Sequence, residues 1–193
     1  EEGNIMHLLD ALSEQKQIDY LFNQILIYVD GSTDNTEKIA RTHNNKLIKV
    51  VSGKKRVGQQ KAQNILLERC KSDLVVFIEA DTLPFNEYTI NELIKPFVMK
   101  SFQNLGMTVG NCYGLLPRTF FEKISTHGDF LKKEIDDNWH DGNNIYSSTG
   151  HAMKALSREF ASQLRWPSNV PEDSYAYLRL NQLGMKMLRL NNV

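Results

Sequence analysis

The sequence is poor in cysteine, proline and glycine, with two, five and eleven residues among 193. Two cysteines, Cys70 and Cys112, are too few for a disulfide framework and do not have the spacing of a metal knuckle. We expect both to be buried apolar side chains in a reducing compartment. So little proline and glycine also excludes collagen-like and low-complexity chains.

Long apolar runs and an excess of one charge are absent as well. No run reaches the roughly 18–20 residues that span a bilayer, and no signal-peptide pattern is present. We therefore expect a cytoplasmic protein, or one at the cytoplasmic face of a membrane. The 23 Lys and Arg residues offset the 23 Asp and Glu residues, so no net field favours nucleic acid as a partner. With 41% hydrophobic residues, the composition is that of one folded domain.

Apolar periodicity predicts alternating helices and strands. Continuous apolar runs predict buried strands, and 3.6-residue spacing predicts helices. Helices are predicted at 5–17, 33–43, 59–71, 87–100, 118–138, 157–164 and 173–183, and strands at 24–29, 47–51, 74–78, 105–113 and 185–190. A helix is also expected after Thr149-Gly150-His151. Such alternation indicates an α/β fold with a mostly parallel central sheet flanked by helices.

Three acidic clusters lie at the ends of predicted elements. Asp30-Gly31-Ser32-Thr33-Asp34 follows a strand and could contact a ligand or simply cap the next helix. Glu79-Ala80-Asp81 also follows a strand, and its two carboxylates suit Mg²⁺ or Mn²⁺, although a solvated strand end has the same pattern. Glu172-Asp173 precedes a helix and, taken alone, is best explained as a capping pair.

In their order and spacing, these clusters resemble motifs of the family-2 glycosyltransferases, which use nucleotide sugars and have the GT-A fold. Residues 29–36 look like the nucleoside-binding DGSTDNT motif, and Arg56-Val57-Gly58-Gln59 is similar to the R-x-G-K segment. Glu79-Ala80-Asp81 looks like the D-x-D metal site. Pro171-Glu172-Asp173 looks like the E-D motif, whose Asp is the general base. The resemblance covers nearly the whole chain.

The resemblance implies an inverting transfer of a sugar from a UDP- or GDP-type donor to an acceptor hydroxyl, with a divalent cation on the diphosphate. It implies one catalytic domain, 1–193, with a nucleotide-binding half at 1–100 and a donor-sugar and acceptor half at 101–193. The acceptor would be a carbohydrate, lipid or protein, and membrane association is open. The implied residues are Asp173 as the base, Asp81 and Glu79 for the metal, Asp30, Ser32, Arg56, Glu79 and Asp81 for the nucleotide or donor, and Thr149, Gly150, Glu172 and Trp166 for further donor or acceptor contacts.

The sequence also departs from the family pattern. Glu79 replaces the first Asp of D-x-D, which makes Asp81 the principal metal ligand expected. Gln59 stands where the family often has Lys, leaving Arg56 to offset phosphate charge. The family's first strand and its P-x-Y-N segment are absent from the sequence. Trp166 has an alternative role as a packing residue at a helix end.

Two other functions remain open from the sequence. A nucleotidyltransferase of similar fold would place a basic, glycine-rich phosphate loop near its N-terminus, a region that this sequence does not contain. A non-catalytic nucleotide-sugar-binding or scaffold domain would keep the same motifs without turnover. Aromatic Tyr113, Trp139 and Tyr146 could stack on sugar rings, although core or rim packing is the more frequent use of such residues.

Overall fold

A computed structural model describes residues 1–112, 117–124, 126–128, 131 and 152–190. The described elements are α1 (Ile5–Ser13), β1 (Ile25–Asp30), α2 (Thr36–Thr42), β2 (Ile48–Gly53), α3 (Gln59–Arg69), β3 (Leu74–Ile78), α4 (Thr89–Val98), β4 (Leu105–Gly110), β5 (Met153–Ser157), α5 (Arg158–Gln163), α6 (Glu172–Gln182) and β6 (Lys186–Leu190). Residues 120–124, 126–128 and 131 are also helical, inside the helix expected at 118–138. Outside the described residues lie Tyr113, Trp139, Tyr146, Thr149, Gly150 and His151.

The N-terminal part is a regular α/β unit. β1 and β2 pair in parallel from Ile25 opposite Ile48 to Asp30 opposite Gly53. α1 and α2 cover one face of this pair through a small core that includes Leu9 and Ala40, each 1% exposed. Both strands consequently end at the same edge, which is where an α/β sheet presents its ligand-binding loops.

The remaining four strands form a second sheet in the order β3-β5-β4-β6. β5 is antiparallel to both of its neighbours, whereas β4 and β6 are parallel. The expected α/β class is therefore confirmed, and the sheets are only partly parallel, because β5 runs opposite to both of its neighbours. β5 itself was not predicted, and it lies where the chain was expected to lead from His151 to a helix.

A cavity of about 690 Å³ separates β1 from β3. Apolar side chains of both strands line it, together with residues of α1, α3 and α4 such as Leu12, Leu66 and Ile94. Among the described residues, β1 pairs only with β2, and β3 only with β5. The described strands therefore form two sheets that are not hydrogen-bonded to each other across this cavity.

Two further expectations are corrected. Cys70 is buried as expected, but Cys112, just beyond β4, is exposed. α1 ends at Ser13 rather than near residue 17, because the chain turns away there and the Lys16 amide donates to the Glu87 carbonyl at 2.8 Å. No helix formed by the described residues is both long and apolar enough to cross a membrane.

Candidate active site

Asp30 ends β1 and holds the basic loop of residues 54–58. Its two carboxylate oxygens accept hydrogen bonds from the backbone amides of Val57, at 2.6 Å, and Gly58, at 2.9 Å. Gly31 follows in a left-handed conformation with φ +65°, and a Cβ placed there would lie 2.6 Å from the Arg56 nitrogen. The turn after β1 and the basic loop are therefore packed backbone against backbone.

The residues that follow Gly31 form hydrogen bonds with one another. The Ser32 hydroxyl donates to Asp34, and the Thr36 amide donates to the same Asp34 oxygen at 3.0 Å. These bonds, with that of the Glu1 ammonium, hold the pKa of Asp34 far below its usual range, the Ser32 hydroxyl having the largest effect. Asp34 thus stabilises the start of α2, as the capping alternative predicts, and Ser32 is exposed beside it.

The basic loop precedes the N-terminus of α3. Lys54, Lys55 and Arg56 are all exposed, and Gly58, at φ +88°, leads directly into the helix. An exposed cationic loop followed by free helical amides is a favourable environment for phosphate. Asp30, Ser32 and Arg56, which were predicted to contact the nucleotide, therefore gather around one loop.

Glu79 and Asp81 lie in the turn that follows β3. The Glu79 amide donates to the Ala152 carbonyl at 3.0 Å, and the Thr82 amide closes the turn on the Glu79 carbonyl at 3.1 Å. Partial burial, and then the neighbouring Asp81 carboxylate, raise the pKa of Glu79. Two neighbouring carboxylates suit a hard divalent cation, which prefers oxygen ligands. The described residues contain no group of three or more His, Cys, Asp or Glu side chains placed to hold a metal.

Glu172 and Asp173 form the first turn of α6, after Pro171. Both carboxylates face the ammonium of Lys154 on β5. Lys154 donates a short hydrogen bond to Asp173 Oδ1, and its Nζ lies 3.7 Å from Glu172 Oε1. All three side chains are at least four-fifths buried, so this is an interior ion cluster rather than a surface pair.

The metal and base candidates lie close together. The charges of Asp81, Lys154, Glu172 and Asp173 all act on the Glu79 carboxyl group. The structure thus joins the end of β3 to the start of α6, with Lys154 between them. Segments nearly one hundred residues apart in the sequence form one acidic site.

Trp166 is 3% exposed and lies inside this architecture. Its indole nitrogen donates to the Glu172 carbonyl at 2.9 Å, and its ring packs edge-on against Phe77 of β3. Asn64 of α3 bonds both the Trp166 amide and its carbonyl. These contacts favour the packing role, in which Trp166 fixes the entry into α6, over a role at the surface of an acceptor entrance.

Lys154 is the functional residue that the sequence analysis missed. The sequence signal is a lone lysine inside the apolar segment Ala152-Met153-Lys154-Ala155-Leu156. A lysine in a buried strand must find carboxylates, because an unpaired ammonium in the interior is very costly. Recognising that segment as a strand would have predicted an interior partner for Lys154.

The α/β fold, with acidic turns after β1 and β3 and an acidic pair at the start of α6, is that of the GT-A class of glycosyltransferases. The chain belongs to glycosyl transferase family 2, whose family model matches residues 1–160. A comparison with curated proteins gives no significant match.

Solved structures agree with this fold. A mannosyltransferase from Pyrobaculum calidifontis, in complex with GDP-mannose and Mn²⁺, is 21% identical with a TM-score of 0.69, over 100% of this chain and 52% of its own. Glucosyl-3-phosphoglycerate synthase from Mycobacterium tuberculosis, in complex with UDP, is 20% identical with a TM-score of 0.63, over 99% and 66%. TarS residues 1–349 from S. aureus, in complex with UDP-GlcNAc, is 19% identical with a TM-score of 0.65, over 100% and 53%. The chain thus spans about half to two thirds of these proteins.

Proposed function

We propose that the protein transfers a sugar from a nucleoside-diphosphate sugar to an acceptor hydroxyl, with inversion at the anomeric carbon. The observation that supports this most directly is the acidic site in which Glu172 and Asp173 pair with Lys154 and all three charges act on Glu79. Membership of glycosyl transferase family 2 supports the reaction class. The acceptor oxygen bonds to the anomeric carbon as the bond to the diphosphate breaks, and the hydroxyl proton passes to Asp173.

The donor is proposed to be of the UDP or GDP type. Fold neighbours were solved with GDP-mannose and Mn²⁺ and with UDP-glucose and Mn²⁺. In this chain Asp81 and Glu79 have the donor chemistry for such a cation, which would neutralise charge on the diphosphate leaving group. Arg56 and the amides at the start of α3 would add fixed positive potential for phosphate.

Asp173 is proposed as the general base because of its place in the structure. It lies in the first turn of α6, 13% exposed, and its charge acts on Glu79. A carboxylate fixed beside the donor site can accept the proton of an attacking hydroxyl. Glu172, its neighbour, would shape the same side of the site, and Thr149 and Gly150 remain proposed donor or acceptor contacts.

The acceptor is proposed to be a hydroxyl of a carbohydrate, lipid or protein, reached from the cytoplasmic side. This location follows from the composition and the sparse cysteines rather than from any contact in the fold. Nucleic acid is not proposed as a partner, because the chain has no net positive charge.

Asp173→Asn separates an enzyme from a non-catalytic binding domain. We expect the variant to keep its affinity for the donor nucleotide and to release nucleoside diphosphate about 10²–10⁴-fold more slowly, because proton transfer contributes about that factor. The measurement is diphosphate release from UDP- and GDP-sugars with Mn²⁺ and a panel of acceptors. Asp19→Asn, at an exposed position, is the matched control. Equal rates for Asp173→Asn and wild type would contradict the base role, and no release by any form would support the scaffold alternative.

A further inference from the structure

Lys154 is an unusual residue in an unusual place. It is the second residue of β5, opposite Phe77 of β3 and Val109 of β4, and is 4% exposed. The next residue, Ala155, is fully buried. Burying an ammonium ion in a central strand is costly, and an apolar residue of similar volume would pack there at lower cost. Stability of the sheet therefore does not explain the lysine.

Its partners give a better explanation. The Lys154 ammonium donates to Asp173 Oδ1 and lies 3.7 Å from Glu172 Oε1. Its charge also acts on Glu79, whose carboxyl group lies at the end of β3. The Lys154 cation is thus paired with two carboxylates of α6 and acts electrostatically on a third at the end of β3, the strand that pairs with β5.

β5 makes Lys154 a rigid support. The strand is hydrogen-bonded on both sides, to β3 and to β4. Asp173, by contrast, lies in the first turn of a helix whose N-cap residue, Pro171, makes no side-chain capping bond. Without the ammonium, the Asp173 carboxylate would lose the cation that offsets its repulsion by Glu172 and by the charge on Glu79, and it would shift within the site.

We propose that Lys154 is the positioning residue of the reaction: it holds the Asp173 carboxylate beside the Glu79–Asp81 end of β3, so that base and donor diphosphate occupy one site. Lys154 acts through Asp173 and does not itself contact the reacting atoms. This proposal rests on the proposed function, because it assigns Lys154 to the base of that reaction. A misplaced base is expensive, since displacement of a catalytic group by about 1 Å can cost 10²-fold in rate.

The test compares Lys154→Met, which keeps the apolar stem but removes the charge, with Lys154→Arg, which keeps the charge. Rates of diphosphate release are measured for both, alone and combined with Asp173→Asn. We expect Lys154→Met to lower kcat about 10²-fold with the donor KM changed less than about threefold. Lys154→Arg should stay within about tenfold of wild type. Neither substitution should slow Asp173→Asn further, because a residue that acts through the base has no effect once the base is gone.

Lys186→Met is the matched control, since Lys186 is an exposed lysine on β6, an edge strand of the same sheet that does not pair with β5, and its loss should leave every rate unchanged. Thermal unfolding of each variant shows whether it is folded. If Lys154→Met does not fold, the test uses Lys154→Arg instead. Its kcat is then compared with that of the wild type, and the kcat of its combination with Asp173→Asn is compared with that of Asp173→Asn alone. A wild-type kcat in Lys154→Met, or rate losses that multiply in the double variant, would overturn the proposal.

Failure of the proposed function gives a different pattern. If Asp173→Asn transfers sugar at the wild-type rate, the base assignment is wrong and the role of Lys154 is overturned with it. A wild-type chain that never releases diphosphate would overturn both. If Asp173→Asn is inactive while Lys154→Met is fully active, only the Lys154 proposal fails.

Discussion

At the scale of single residues, the acidic side chains of this protein divide into structural and chemical groups. Both carboxylate oxygens of Asp30 accept hydrogen bonds from backbone amides of the basic loop. The Asp34 carboxylate accepts one from the backbone amide at the start of α2. The motif resemblance also predicts a nucleotide contact for Asp30. Glu79 instead has a raised pKa, because partial burial and the charge of Asp81 both disfavour its ionised form. Ionisable groups with shifted pKa values are frequent at functional sites.

The raised pKa of Glu79 predicts a pH-dependent effect on stability. A carboxyl group whose pKa is higher in the folded state stabilises that state below its unfolded pKa, near 4.5, and loses this contribution as the pH rises through the folded value. Glu79→Gln mimics the protonated form. In metal-free protein we expect equal melting temperatures for the variant and wild type at pH 4, and a melting temperature about 1–2 °C higher for the variant at pH 7.

The measurement is thermal unfolding in EDTA at both pH values. Glu87→Gln is the control, because Glu87 is exposed and has only a 4.0 Å ion pair with Lys16. A difference between Glu79→Gln and wild type that is the same at pH 4 and pH 7, or a variant that is less stable at pH 7, would contradict the assigned pKa shift.

At the scale of elements, strands defined by a local apolar pattern were predicted from the sequence, whereas a strand that depends on distant partners was not. β1 and β3 were located to within about a residue, because each is a continuous apolar run that stops at an acid. β5 was missed because Lys154 interrupts its apolar pattern, and the partners that make this lysine acceptable lie on α6 and β3. The sequence around Lys154 gives no information about those partners, because they lie far away in the chain.

The turn after β1 gives an element-scale prediction. Gly31→Ala would place a Cβ 2.6 Å from the Arg56 nitrogen and 2.9 Å from the Lys55 carbonyl carbon, in a left-handed conformation. Backbone atoms cannot yield as side-chain ends do, so we expect a loss of about 2–4 kcal/mol in the free energy of unfolding, from strain and overpacking together. Urea unfolding measures it.

Gly184→Ala isolates the conformational part of that cost. Gly184 has a similar φ of +68°, but none of the residues that the structure describes lies within 4 Å of a Cβ placed there. We expect this variant to lose only about 1 kcal/mol. Equal losses for the two glycine variants would show that the turn after β1 is not packed against the basic loop.

At the scale of the whole molecule, the fold class was predictable and the sheet topology was not. Alternating strands and helices dominate the first eighty residues and indicate parallel pairing. The second sheet departs from this, because β5 runs antiparallel between β3 and β4. The motifs of the acidic site were found from their order in the chain. Their convergence required the topology, which brings α6 and β5 to the end of β3.

The cavity between β1 and β3 is the other whole-molecule feature that the sequence alone did not locate. Its lining includes Gln59, Glu79 and Lys154, and the remaining lining is largely apolar. The cavity between the two sheets is therefore lined by residues from both the start of α3 and the acidic site. Its lining joins residues from both halves of the chain.

The most direct test of the central claim is calorimetric titration of UDP and of GDP into the protein, with and without Mn²⁺, repeated on Asp81→Ala. We predict binding of one nucleotide that is weakened at least about tenfold when either Mn²⁺ or the Asp81 carboxylate is removed, because the cation would link the two. Glu68→Ala, an exposed acid near the far end of α3, should bind as wild type. Binding of neither nucleotide, or binding that is indifferent to both Mn²⁺ and Asp81, would contradict the account.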